Sequence, residues 1–182
     1  IIIDIIERWY FWPYPILEVS ERNFNSWWDD FKTSNYSDFS RLNYGLFLNW
    51  ENFRGRNELI QFKIRKGFKE HYLFSYQVPY FDKKKKVGIN TNLQLFRRKK
   101  SFYKTENNTL IYYTNNDSYS TKDYEFNTEI LYRKGVHKTH HLKYQYFLSN
   151  VDQEIINRNS RYLNNGYNTT GSYSKLTYQF TN

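Results

Sequence analysis

The chain has 182 residues, and its 27 Lys and Arg against 18 Asp and Glu give a formal charge of +9. Tyr (19), Phe (15) and Trp (5) make up 21% of it, while Ala, Cys and Met are absent, a balance that argues against an ordinary helical protein. Without Cys there is no disulfide framework, thiolate nucleophile or cysteine-based zinc site. A mean hydropathy of −0.90 and the lack of any apolar run of about 20 residues exclude a transmembrane helix. A membrane β-barrel passes this filter, because its lipid-facing residues alternate with polar ones.

The chain begins at Ile1 and stops at Asn182 inside a strand-like alternation, so the expectation is a piece of a longer mature protein. A period of two then recurs along it, the mark of strands with two unlike faces. From Arg41 to Phe53 the residues Leu42, Tyr44, Leu46, Leu48 and Trp50 oppose Asn43, Gly45, Asn49 and Glu51. A turn at residues 54–57 follows, and Ile60, Phe62 and Ile64 alternate with Gln61, Lys63 and Arg65 as the second arm of a hairpin. Beyond Gly67, the residues Tyr72, Phe74, Tyr76 and Val78 oppose His71, Ser75 and Gln77.

The charged run 82–86 is a turn, and Val87, Ile89, Thr91, Leu93 and Leu95 form a fourth strand. Residues 99–122 are less regular and predict a long loop or protruding strand ends. Regularity returns at Tyr124, Phe126, Ile130 and Tyr132 and, after a turn at 134–137, at Leu142, Tyr144, Tyr146 and Leu148. A polar stretch over 150–170 predicts another loop, and Leu176, Tyr178 and Phe180 mark a last strand. Most strands span about 10 residues, enough to cross a bilayer when tilted. Short turns alternate with longer linkers, except that the 67–70 linker on the long-loop side is also short, as in a barrel with turns at one membrane face and loops at the other.

Alternation also suits a soluble antiparallel barrel or sandwich that binds carbohydrate or nucleic acid. The aromatic character of the apolar face favours the membrane, and the charges, spread over successive strands opposite the aromatics, disfavour stacking beside phosphates. No Gly-rich phosphate loop, Ser-His-Asp spacing or carboxylate pair is recognisable, so the expectation is no enzyme and no cofactor. His137, His140 and His141 form a poor metal set, since neighbours on a strand point to opposite faces.

Several stretches, in order, resemble the outer-membrane assembly superfamily of the BamA and TamA type. They are Glu7-Arg8-Trp9-Tyr10-Phe11-Trp12-Pro13-Tyr14-Pro15, Arg22-Asn23-Phe24-Asn25, Arg41-Leu42-Asn43-Tyr44-Gly45, Asn52-Phe53-Arg54-Gly55-Arg56-Asn57-Glu58 and Tyr76-Gln77-Val78-Pro79-Tyr80-Phe81, with residues 173–180 like a later barrel strand. The resemblance implies an all-β, antiparallel transmembrane β-barrel, with about eight strands present out of sixteen. Residues 1–12 would be the end of the last POTRA domain and its linker, with Ile1 to Glu7 as a strand. Residues 13–182 would be the first half of the barrel, entered from the periplasm.

The first barrel strand is then expected over Tyr14 to Phe24, with residues 25–40 as its loop. The superfamily is thought to act by opening the seam beside this strand, so Ile16, Leu17, Glu18, Val19, Ser20, Glu21 and Arg22 become the candidate edge for client strands. Pro15 removes one donor, and Glu18, Ser20 and Arg22 are expected where neighbouring strands place apolar groups, which would leave the seam marginal. Leu42, Tyr44, Leu46, Leu48, Trp50, Phe62, Phe74 and Tyr76 are the candidate lipid-facing residues, and Trp9, Trp12, Trp27 and Trp28 candidate anchors at the membrane surfaces. The implied function is insertion of outer-membrane proteins, or, as a variant, a TamA-like or two-partner-type translocation pore. Implied partners are nascent outer-membrane β-barrel proteins, accessory assembly lipoproteins or periplasmic partners, and outer-membrane lipid, with no nucleic acid.

Overall fold

Period-two segments with unlike faces pair most readily with their sequence neighbours, and here they do so almost without exception. A computed structural model describes residues 8–20, 24–36, 39, 41–115, 117–135, 138–164 and 168–181, the side chains of Ser26 and Asp30 excepted. Eight strands make one antiparallel sheet: β1 (Phe11–Val19), β2 (Leu42–Phe53), β3 (Glu58–Gly67), β4 (Lys69–Val78), β5 (Val87–Arg98), β8 (Thr121–Arg133), β9 (Thr139–Val151) and β10 (Thr170–Thr181). A separate hairpin of β6 (Lys100–Glu106) and β7 (Thr109–Thr114) interrupts the series between β5 and β8. Helices α1 (Phe24–Thr33) and α2 (Gln153–Arg158) lie in the β1–β2 and β9–β10 connections. The sheet is open, with β1 and β10 at its two edges.

Register carries the alternation from strand to strand. Leu48 pairs with Phe62, Phe62 with Phe74, Phe74 with Leu93, Leu93 with Phe126, and Phe126 with Tyr146. Directly paired residues share a face, so this row and its neighbours make an apolar band that crosses the sheet. The opposite row runs Asn49, Gln61, Ser75, Asn92, Asn127, Gln145 and Lys175. Gly45 belongs where β2 passes close to β3, since a Cβ there would collide with the Ile64 carbonyl oxygen.

Turn chemistry explains the sheet's two unlike ends. Tight connections join β2 to β3, β4 to β5 and β8 to β9 at one end, while at the other β5–β8 and β9–β10 carry long ones and Phe68 alone joins β3 to β4. In the first tight turn Arg54, Gly55 and Asn57 take positive φ (57°, 67° and 56°), and Lys85 does so in the second (55°). At the long end, the β6–β7 hairpin and α2 fold into a cap. Its small core holds Tyr103, Val151, Ile155 and Ile156, with Ile111, Tyr113, Tyr162 and Leu163 packed around it.

Four sequence expectations are corrected here. The first strand ends at Val19, not Phe24, because Phe24, Trp27, Trp28 and Phe31 have helical spacing and stack along α1, with centroids 5.5 Å apart for Phe24–Trp27 and 5.1 Å for Trp27–Phe31. The same spacing places a helix in the 25–40 connection. Residues 99–122 contain a true hairpin, closed by Asn107 and Asn108 at φ 47° and 59°, the two left-handed positions a type I′ turn requires. The 150–170 stretch contains α2, started by Asp152, whose carboxylate accepts the Glu154 N–H at 2.8 Å.

β1 also starts at Phe11, ahead of the Tyr14 expected as the start of the first barrel strand. The strand expected over residues 1–7 lies outside the described residues.

Candidate functional site

Two features stand out from the fold: the apolar face of the sheet and the free edge of β1. On the face, all eight predicted residues fall together. Leu42, Tyr44, Leu46, Leu48 and Trp50 alternate on β2, and Leu48 and Trp50 lead across the register to Phe62, Phe74 and Tyr76. Large side chains stay open to the surroundings, with Tyr44 at 58% and Ile64 at 54% exposure. Monomeric soluble proteins rarely leave contiguous large apolar side chains open to water, and such a patch marks a contact surface for a partner or an apolar medium.

The other face is a network of polar pairs. Gln61 donates to Asn49 Oδ1 at 3.0 Å and Gln145 to Asn127 Oδ1 at 3.1 Å. His141 Nδ1 lies 2.7 Å from a Glu129 oxygen, Arg98 pairs with Asp123 at 3.0 Å, and Ser149 donates to Asp123 at 2.6 Å. His140 sits on the apolar face instead, its ring nitrogen 2.7 Å from the Tyr178 hydroxyl. The two histidines are therefore on opposite faces, as alternation requires, and His137 lies outside the described residues.

β1 is positioned by its pairing with β2, Phe11 opposite Trp50 through to Val19 opposite Leu42. Phe11–Trp50 and Tyr14–Phe47 ring contacts (5.8 and 5.9 Å) pin one on each face. Glu18 and Ser20 lie on the polar face, which overturns the expectation that they intrude into the apolar one. Glu18 accepts from Arg65 at 3.0 Å, and Ser20 Oγ accepts from Asn43 Nδ2 at 2.7 Å. The apolar positions belong to Leu17 and Val19. Glu21 and Arg22 lie outside the described residues.

The backbone of β1 holds what side-chain alternation does not reveal. The Glu51 N–H donates to Tyr10 O at 2.8 Å and the Ser20 N–H to Arg41 O at 2.9 Å, in one unbroken register. In an antiparallel pair the hydrogen-bonding direction alternates along the strand. The even residues of β1 therefore bond β2, and Phe11, Pro13, Pro15, Leu17 and Val19 turn their backbone groups to the free edge. Pro13 and Pro15 have no N–H to offer there, and the Trp9 indole N–H already occupies the Phe11 carbonyl. The first half of the edge is thus closed to continuous pairing, while Leu17 and Val19 keep both donor and acceptor.

The opposite edge differs. The Val151 N–H donates to Thr169 O at 2.8 Å, so by the same alternation Ser172, Ser174, Leu176, Tyr178 and Phe180 of β10 face outward, and none of them is proline. Among the described residues neither edge carries a further strand.

Trp9 and Trp12 stand at the tight-turn end of the sheet and Trp27 and Trp28 on α1 at the other. No described helix is long and apolar enough to cross a membrane, which leaves strands unaddressed.

Sheet, band and edges define an all-β antiparallel chain with one apolar and one polar face. No family model and no curated protein matches it. Among solved structures it is similar to the crystal structure of BamA from Haemophilus ducreyi lacking POTRA domains 1-3, with 15% identity and a TM-score of 0.41. The match covers 79% of this chain and 27% of that one. A likeness of this size assigns neither activity nor partners.

Proposed function

We propose that the chain forms part of the wall of an outer-membrane β-barrel, and that this barrel assists insertion of other outer-membrane barrel proteins through the edge of β1. The observation that supports the membrane reading is the apolar band, continuous over successive paired strands and open to its surroundings. In lipid such a band is solvated, and antiparallel strands satisfy one another's backbone groups. The order of the sequence motifs supports the assembly role, and β1 supplies the means, since free N–H and C=O groups bind an incoming strand by β-augmentation. No covalent chemistry is involved. The barrel would sit with the tight turns toward the periplasm, where accessory proteins would meet it.

The outward parity of Leu17 and Val19 makes the test specific. Val19→Pro deletes a donor that faces the client, whereas Ser20→Pro deletes the bond to Arg41 that holds β1 on β2. In complementation of a depleted strain by the full-length protein, Val19→Pro should impair assembly while the barrel itself stays folded. Ile16→Ala should be tolerated, because pairing runs through the main chain. Normal growth with Val19→Pro, or with β1 crosslinked to its closing strand, would rule out the edge mechanism and leave bilayer thinning or a translocation pore.

A further inference from the structure

Where the band ends, the β2–β3 and β4–β5 turns enclose a cleft of about 500 Å³ lined by Asn52, Arg56, Tyr80, Phe81, Lys83 and Lys85, among others. Both nearby acids are already engaged from within. Glu58, 0% exposed, accepts from Arg54 Nε at 3.0 Å, Arg56 Nε at 2.8 Å and the Tyr76 hydroxyl at 2.9 Å. Asp82 turns its carboxylate into its own loop and accepts the N–H groups of Lys86 and Val87, both at 2.7 Å. Two guanidinium groups thus share one carboxylate at the first turn, and the second turn carries four lysines against one aspartate. The excess positive charge borders the cleft.

Aromatic side chains set its depth. Tyr80 continues the even series of Tyr76 and Val78, and its ring lies 6.0 Å from Lys85 Nζ and 5.0 Å from the Arg133 guanidinium carbon. Phe81, 66% exposed, adds a second ring to the cleft lining, and aromatic rings of this kind favour a membrane interface. An anion seated here would meet ammonium and guanidinium groups while an attached acyl chain followed the apolar band. A free anion would have no use for that band.

From this juxtaposition we infer that the cleft binds the phosphodiester headgroup of an anionic phospholipid. The inference rests on the membrane reading, and its test separates the two. The full chain is folded into vesicles of phosphatidylcholine alone or of phosphatidylcholine with phosphatidylglycerol, and retention of labelled phosphatidylglycerol is measured. Lys83→Gln and Lys85→Gln should each weaken retention about fivefold, the equivalent of about 1 kcal/mol per basic residue at an anionic surface. Lys175→Gln, on the polar face of β10, should leave it unchanged, and inorganic phosphate should compete poorly.

Insertion with no preference for phosphatidylglycerol, or equal loss with Lys175→Gln, would overturn the headgroup site and spare the membrane reading. Efficient competition by inorganic phosphate would make it a site for free phosphate and overturn the lipid assignment. Failure to insert into either vesicle would overturn the membrane reading itself.

Discussion

The cap and the sheet are built from similar apolar residues and treat them in opposite ways. In the cap, Ile155 and Ile156 are 0% exposed beneath the β6–β7 hairpin, and the Asp152 cap and the Glu154–Arg158 pair at 2.9 Å turn polar groups outward. On the sheet, Leu46, Phe62, Ile64 and Leu93 lie open on a face that nothing described in the chain covers. A segment that hides its isoleucines is organised for water, and a face that displays them is organised for an apolar medium. On the membrane reading proposed above, the difference assigns two environments to one chain.

The sharpest way to break the comparison is to damage each region and ask which medium notices. Ile156→Ala should cost about 2 to 5 kcal/mol within the cap, as for other fully buried large-to-small changes. Faster hydrogen exchange over residues 100–114 and 152–164, with vesicle insertion intact, is the expected signature. Leu46→Arg or Phe74→Arg should cost about 2 to 4 kcal/mol of folding free energy in liposomes, the depth-dependent cost of a charge on the lipid face. Gln61→Arg on the opposite face should be nearly neutral in the same assay. Equal costs on the two faces would refute the sidedness.

Smaller effects sharpen the picture at the sheet's margins. Glu18→Gln loses the ion pair to Arg65, in which the glutamate side chain is 47% exposed, and should cost about 0.2 to 1 kcal/mol. The Asp82 carboxyl in the β4–β5 turn is held below the usual carboxylate range, chiefly by the backbone N–H of Val87 and then by that of Lys86. A lowered folded-state pKa stabilises the turn above the ordinary carboxylate value, and the benefit fades as pH falls through the lowered one. Acid should loosen residues 82–87 in hydrogen exchange, and Asp82→Asn should abolish that pH dependence.

Much of the sheet was legible because side-chain facing in a strand has a period of two and needs no knowledge of the partner. Leu42 to Trp50, Phe62, Phe74 and Tyr76 show their common face in sequence alone, and so do the tight turns at 54–57 and 82–86. The cap and α1 are legible only when strand periodicity is set aside. Asp152 before Ile155-Ile156 is a helix start, Asn107-Asn108 is a turn pair, and Phe24, Trp27, Trp28 and Phe31 form a helical stripe, yet each is short and embedded in polar sequence. For the same reason residues 25–40 and 150–170 read as loops, and 99–122 as a long loop or protruding strand ends.

The edge of β1 depended on tertiary structure altogether. Alternation assigns Pro13 and Pro15 to a face, but whether their missing N–H groups matter depends on which flank of β1 is occupied. The bonds Glu51 to Tyr10 and Ser20 to Arg41 settle that flank, and they turn the prolines outward. Sequence determined which side chains share a surface, because that follows from the chain's own geometry. Pairing decided which backbone groups remain free, because a strand's hydrogen bonds acquire a direction only when a neighbour takes one side.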